Sequence, residues 1–462
     1  WESANLRVYD YLRAKVPIGT EPSLKDLDLL YQAVAHGCHA GLEEKTCTEV
    51  YSDRILQFDR HYSLRQFGVF GTDLVALACF FEQPWSQLSS EMSPGAQSFV
   101  FNEVGTRLRA LGRIAEAIQP LTSSLRIDLT HNEWRSAAIS CCNLSDTYLA
   151  LGNIIDATSL AKRAVEYANR CSVDRYIHSY RESNAFVMVT CSFPRHAYTY
   201  FQGGDRTTAG QMFHESERLQ GRYQPDYPLL YADVGFMYCD HLLAPAERAG
   251  WNRITEGAWM PVSRHMEPHS TATSSEGDSF DFVRTPPVTP IECCRNVAER
   301  MAKLVEWREN DDGLLIKGLD HLTFARVEFF TAILENYSLV TAQRTIDESI
   351  DYLRRASMLD VVPHGLLTRS LIRSLSGLRT GNKDARADLD EAWDIAARGP
   401  MRLHMADIHL YRARLFFREK SYPWKSPQDD IAAAEKLINE CGYHRRDEEL
   451  ADAKRVILGN QT

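Results

Sequence analysis

Apolar residues recur along this chain every three to four positions over long stretches, the spacing of helices that bury one face. The opening segment predicts helices over Ala4 to Lys15, Ser23 to Gly41, Glu43 to Leu56 and Ser63 to Phe81. Ser23 follows Pro22 and precedes Leu24, Leu27, Leu29, Leu30, Ala33 and Val34, which makes it an N-cap. After a polar stretch around Gln87 to Pro94 a phrase appears twice, forty residues apart. Leu108-Arg-Ala-Leu-Gly112-Arg-Ile114-Ala-Glu-Ala117 returns as Tyr148-Leu-Ala-Leu-Gly152-Asn-Ile154-Ile-Asp-Ala157. A bulky residue, then Gly, then an apolar residue, then Ala at fixed offsets is the signature of two helices joined by a tight turn.

The small positions of the phrase predict helix contact. Gly105, Ala117, Leu121 and Ser124 in the first copy correspond to Ser145, Ala157, Ala161 and Ala164 in the second. A looser third copy holds Ala197, Tyr200, Gly204, Ala209 and Phe213, with Pro194 expected to kink or break the helix ahead of it. Another helix is predicted over Leu229 to Leu243, and then the pattern fails. Trp251 to Pro290 contains Ser-Thr-Ala-Thr-Ser-Ser and Thr-Pro-Pro-Val-Thr-Pro, which reads as an inserted loop with its protease-sensitive part at Ser270 to Pro290. Helices resume over Ile291 to Asn310, Leu314 to Leu334, Leu339 to Met358, Leu366 to Leu378, Asp384 to Arg398, Leu403 to Phe417, Pro427 to Cys441 and Glu448 to Leu458.

The reading is therefore all-α, an α-solenoid of tetratricopeptide-like (TPR-like) hairpins with an irregular loop insertion. An N-terminal helical segment (1–90) leads into repeats (91–250), the insertion (251–290) and further repeats (291–462). Repeats need only their neighbours, so 462 residues do not demand several compact domains. A hydrophobic content of 44% and a charged content of 25% exclude disorder of the whole chain.

Charge and cysteine usage narrow the function classes. A net charge of -10 argues against general nucleic-acid binding. Eleven cysteines, an odd number without any C-x-x-C spacing, suit reduced thiols in a cytoplasmic protein. The longest apolar run, Leu74 to Phe81, is far below the ~20 residues that span a bilayer, so no membrane association is expected. The chain begins at Trp1, which suggests a piece of a longer protein.

Several groups of side chains could carry chemistry. His36, Cys38 and His39 are close enough on a helix to invite a metal, but no second ligand pair accompanies them, and a helix surface or core pair is the plainer reading. His404 and His409 point to different sides of a helix; His404, Ile408, Tyr411 and Leu415 share a face, with Asp407, Arg412 and Arg414 in ion pairs. His444-Arg-Arg-Asp447 has the look of a kinase catalytic loop without its companions, and reads as a charged connection between helices. Cys141-Cys142 lies in an apolar helix, where a thiol acts as a small hydrophobe. No G-x-S-x-G, H-E-x-x-H or G-x-x-x-x-G-K-[ST] occurs. No catalytic residue, cofactor or metal is expected.

Longer phrases carry a resemblance. Leu30-Tyr-Gln-Ala-Val-Ala-His-Gly-Cys-His-Ala-Gly41, Asn143-Leu-Ser-Asp146, Gln224-Pro-Asp-Tyr-Pro-Leu-Leu-Tyr231, Met401-Arg-Leu-His-Met-Ala-Asp-Ile-His-Leu-Tyr-Arg-Ala-Arg414 and Gly442-Tyr-His-Arg-Arg-Asp447 resemble the C-terminal helical region of bacterial STAND NTPases. In that family an effector precedes a NACHT or NB-ARC ATPase, and TPR-like repeats follow. The resemblance implies a non-enzymatic sensor. Its repeats would recognise a protein trigger, often foreign and for instance phage-encoded, and release the NTPase and effector domains of the same polypeptide to form a homo-oligomer in antiviral defence. The 40-residue period departs from the usual 34, implying helices longer by about a turn and a half in total. A general TPR scaffold without switching is the alternative.

If the array binds a protein, the first helix of each hairpin should line the concave wall. Ser98, Asn102, Thr106 and Arg109, then Cys142, Asp146 and Leu149, then Tyr198 and Phe201 are the expected contact residues.

Overall fold

The computed structural model describes residues 1–171, 192–259, 289–307, 313–378 and 384–459. Among them the chain is all-α apart from one two-stranded antiparallel ribbon. The first helices are α1 (Glu2–Lys15), α2 (Leu24–Cys38) and α3 (Glu43–Thr46), the last passing directly into a π-helical stretch, Cys47–Leu56. Ser23 caps α2 through a capping box with Asp26, as its position after Pro22 predicts. The helix expected over Ser63 to Phe81 is instead two short ones, α4 (Tyr62–Phe67) and α5 (Phe70–Ala78). Gly68 separates them at φ 63°, where a Cβ would stand 2.1 Å from the Arg355 carbonyl oxygen. The break lets the N-terminal segment sit against backbone of the second half of the chain. Phe81–Gln83 (β1) and Gln87–Leu88 (β2) then form the ribbon, with Phe81 opposite Leu88.

The repeated phrase folds as α6 (Pro94–Ala110) against α7 (Ile114–Thr130), and α8 (Trp134–Ala150) against α9 (Ile154–Cys171). Gly112 and Gly152 adopt φ of 75° and 80°. In both copies the same pair of bonds closes the first helix: Arg113 N–H to the Leu108 carbonyl at 2.8 Å with Gly112 N–H to Arg109, and Asn153 N–H to Tyr148 at 2.8 Å with Gly152 N–H to Leu149. This double closure satisfies carbonyls that a helix end leaves open, and its left-handed residue favours Gly. The third copy repeats it, Asp205 N–H bonding to Tyr200 between α10 (Phe193–Gln202) and α11 (Arg206–Tyr223). Pro194 lies in the first turn of α10, where its missing N–H costs nothing, so it starts this helix.

Packing explains the small positions. A Cβ on Gly105 would lie 2.3 Å from Leu121 Cγ, and Ala117 and Ala157 are fully buried. Further along, α12 (Ala232–Thr255) extends well beyond Leu243, so Trp251 belongs to a helix and not to the insertion. It is followed by α13 (Pro290–Glu306), α14 (Leu314–Glu335), α15 (Val340–Arg355), α16 (Val362–Leu375), α17 (Ala385–Arg398), α18 (Arg402–Phe416), α19 (Pro427–Cys441) and α20 (Asp447–Ile457). Residues 260–288, including most of the expected protease-sensitive loop, lie outside the described residues. Gly318 of α14 meets Leu353 as Gly105 meets Leu121, and Ser349 Oγ donates to the Gly318 carbonyl at 2.8 Å.

The glycines of the early turns touch the second half of the chain. Gly112 lies against Leu359 and Met401, Gly152 against Arg402 and Cys441, and Gly204 against His444. Leu359 N–H also bonds to the Ala110 carbonyl at 2.7 Å. The hairpin turns of the first half are thus seated on the second half. No helix among the described residues is long and apolar enough to cross a membrane.

Candidate functional site

The centre where the halves meet is a network of buried ions. Asp240 and Glu247 lie seven residues apart on one face of α12, both almost fully buried. Arg326 of α14 reaches both, at 2.8 Å and 3.2 Å. Two more cations come from a single 3₁₀ turn, His444–Arg446, between α19 and α20. Arg445 Nη2 donates to Asp240 Oδ1 at 2.9 Å and to Glu247 Oε2 at 3.2 Å; Arg446 donates to Glu247 Oε1 at 3.0 Å and to Asp407 Oδ1 at 2.8 Å. Arg446 also pairs with Glu449, which accepts a 3.0 Å bond from Arg414. Four arginines and four carboxylates neutralise one another where unpaired charge would be costly. Tyr198 and Tyr443 add hydroxyl donors at 3.1 Å to Asp240 and Asp407.

The electrostatics follow from competition between burial and pairing. Burial pushes the Asp240 carboxyl up, but Arg445 and Arg326 outweigh it and hold the group well below the usual carboxylate range. Glu247 is lowered in the same way, with Arg446, Arg326 and Arg445 overcoming its burial. These groups stay charged and locked.

Beside the network lies a cavity of about 260 Å³. Its wall draws on both halves: Arg109, Asp146 and Leu149 from the repeats, Tyr198 from α10, and Asp360, His364 and His404 from the second half. Arg109 bridges Asp146 at 3.1 Å and Asp360 at 3.3 Å. Asp146 accepts a second bond from Arg195 at 3.0 Å, and Arg195 pairs in turn with Asp233. His404 donates Nε2–H to the Asp360 carbonyl at 3.2 Å, and its ring stands edge-on to His364 at 4.5 Å. Burial, with His404 adjacent, holds His364 far below the usual imidazole value; burial also lowers His404. Burial raises Asp360 despite Arg109.

The nine residues expected on a concave wall separate into two groups. Arg109, Asp146, Leu149 and Tyr198 do come together, at the cavity. Ser98, Asn102, Cys142 and Phe201 instead touch neighbouring segments, and Thr106 bonds within its own helix. Ser98 donates to Asp128 within a Ser124–Ser140 cluster, the buried Cys142 has its Sγ 3.7 Å from Ser192 Oγ, and Phe201 is fully buried beneath the Arg445 guanidinium, 4.2 Å from its ring. Asn102 accepts from Asn143 at 2.9 Å, and Thr106 donates to the Glu103 carbonyl at 2.8 Å. The stretch read as a charged connection, His444 to Asp447, is in its two arginines the anchor of the centre. Sequence reasoning missed Asp240, Glu247, Arg326 and Asp360. The first two do carry a signal, being acids on the stripe that also holds Ala244 and Trp251.

Elsewhere His36 and His409 have ordinary partners. His36 Nδ1 is 2.8 Å from Asn5 Oδ1, and His409 Nδ1 is 2.6 Å from Asp430 Oδ1. Asp407, Arg412 and Arg414 are in ion pairs, with Arg446, Asp390 and Glu449. No protein-family model matches the chain, and no curated protein matches it significantly.

Proposed function

We propose that this chain is a non-enzymatic recognition region built of TPR-like hairpins, the sensor part of a STAND-type NTPase, which binds a protein trigger and holds its parent ATPase in check. The observation that carries the reading is the repeated hairpin. Three glycine turns share one closure, and their tips are seated on the second half of the chain instead of standing free. A trigger that engaged one half more strongly when parted from the other would shift the balance between closed and open arrangements. The charged centre supports a binding role over a catalytic one, because its arginines and carboxylates are committed to one another.

The reading frame upstream of Trp1 is expected to encode a Walker-type ATPase, which supplies the phosphate cradle that these residues lack. A frame without one would leave a scaffold that assembles partners without switching. Purified chain incubated with ATP and with ester, peptide and nucleotide substrates should give no turnover; reproducible turnover would overturn the non-enzymatic reading.

A further inference from the structure

The cavity wall is not electrically balanced. Six carboxylates (Asp146, Asp233, Asp240, Glu247, Asp360 and Asp407) line it against four arginines, Arg109, Arg326, Arg445 and Arg446. Arg195, paired with Asp146 and Asp233, supplies a fifth cation. One carboxylate is therefore in excess among the described residues, and the pairing locates it. Asp240, Glu247 and Asp407 each face arginines of the central network; Asp146 has two arginines, and Asp233 has Arg195. Asp360 must share its one arginine, Arg109, with Asp146, and its Oδ1 has no hydrogen-bond partner among the described residues. The neighbouring His364 and His404, both kept neutral by burial, do not supply the missing positive charge.

Two further observations point to a ligand. Gln202, only 3% exposed, lines the same cavity with its Oε1 unpartnered among the described residues. The rest of the wall is largely hydrocarbon, with Leu149, Phe236, Met358, Val361 and Leu403. An apolar chamber holding a few convergent polar groups is the usual form of a small-molecule site. Unmet acceptors call for N–H donors, an uncompensated carboxylate calls for a cation, and an aromatic face favours one.

We propose that this cavity binds a small organic monocation, an ammonium group on a compact hydrocarbon or aromatic body, with the ammonium against Asp360 and the body against Leu149, Phe236 and Leu403. At about 30 Å³ of liquid volume per water, the space admits a body on the order of ten non-hydrogen atoms. The site stands apart from the reading of the chain as a protein sensor, since it depends only on the residues that line the cavity.

The test is calorimetric titration of the full chain with phenethylamine, 2-phenylethanol and 3-phenylpropionate, which share a body and differ in charge. Phenethylamine is expected to bind with a stoichiometry of one, at least tenfold tighter than the neutral and anionic analogues. Asp360→Asn should weaken it at least tenfold, and Leu149→Trp, which fills the chamber, should abolish binding of all three. Absence of phenethylamine binding at 10 mM, on the order of the weakest affinities such titrations resolve, overturns the proposal. Equal binding of 3-phenylpropionate, or full affinity in Asp360→Asn, does so too. Should Asp360→Asn not fold, full affinity retained by Leu149→Trp is equally decisive against it.

Discussion

At the scale of single residues, the molecule depends on charges and rings held where water does not reach. Asp240→Asn leaves Arg445 and Arg326 short of a partner in the interior, and breaking a buried pair on one side costs about 3 to 5 kcal/mol. Urea denaturation of the variant measures that loss, and a midpoint equal to the parent's would mean that the centre is wetter than its geometry implies. His241 gives a second residue-scale test. It is packed among Phe201, Phe213 and Tyr238, and burial lowers its pKa to about 4 despite the nearby Asp240; burial lowers His196 to about 4 as well. In the unfolded chain these rings protonate near 6.5, so as pH falls the unfolded state gains protons first and stability is lost between pH 6.5 and about 4. Melting temperature should therefore fall over that window, and less steeply in His241→Phe. An identical slope in the variant would remove His241 from the account.

At the scale of elements, the hairpin turn does two jobs that glycine substitutions can separate. Gly19, at φ 79°, has nothing within 4 Å of a built Cβ, so Gly19→Ala should cost only the backbone strain of about 1 kcal/mol. Gly152, at φ 80°, would place its Cβ 2.7 Å from Cys441 Sγ and 2.8 Å from Arg402 Cβ. Gly152→Ala should lose clearly more stability than Gly19→Ala in denaturant titration, and the difference reports the seating of one half on the other. Ala117→Leu and Ala157→Leu test the hairpin contact itself, with an expected loss of about 1 to 3 kcal/mol from overpacking; unchanged unfolding midpoints in both would place the helix contact elsewhere. Element positions were largely readable because 3.6-residue periodicity, a Ser cap at Ser23 and glycine turns at Gly112, Gly152 and Gly204 are local signals. The split at Gly68 was not, because its cause is the Arg355 carbonyl, far away in sequence. The two-stranded ribbon, the π-helical stretch and the true end of α12 escaped for similar reasons: short apolar stretches do not declare their period, and Pro245 sits inside α12 without ending it.

At the scale of the whole molecule, the site was less legible than the fold because it is made by distant segments. Arg109 and Asp146 could be picked out from the repeats, whereas Asp360, His364 and the Arg445–Arg446 turn acquire their roles only when the second half closes over the first. Seated turns and shared ions predict that the two halves unfold together. Tryptophan fluorescence and far-ultraviolet circular dichroism should give coincident urea transitions, and two separated transitions would show that the contact between halves contributes little. The Arg445–Asp240 pair spans 205 residues. During synthesis, then, α12 emerges with two interior acids long before the turn that carries Arg445 and Arg446, so a nascent chain halted before Arg445 is expected to expose that helix to chaperones until the turn is made.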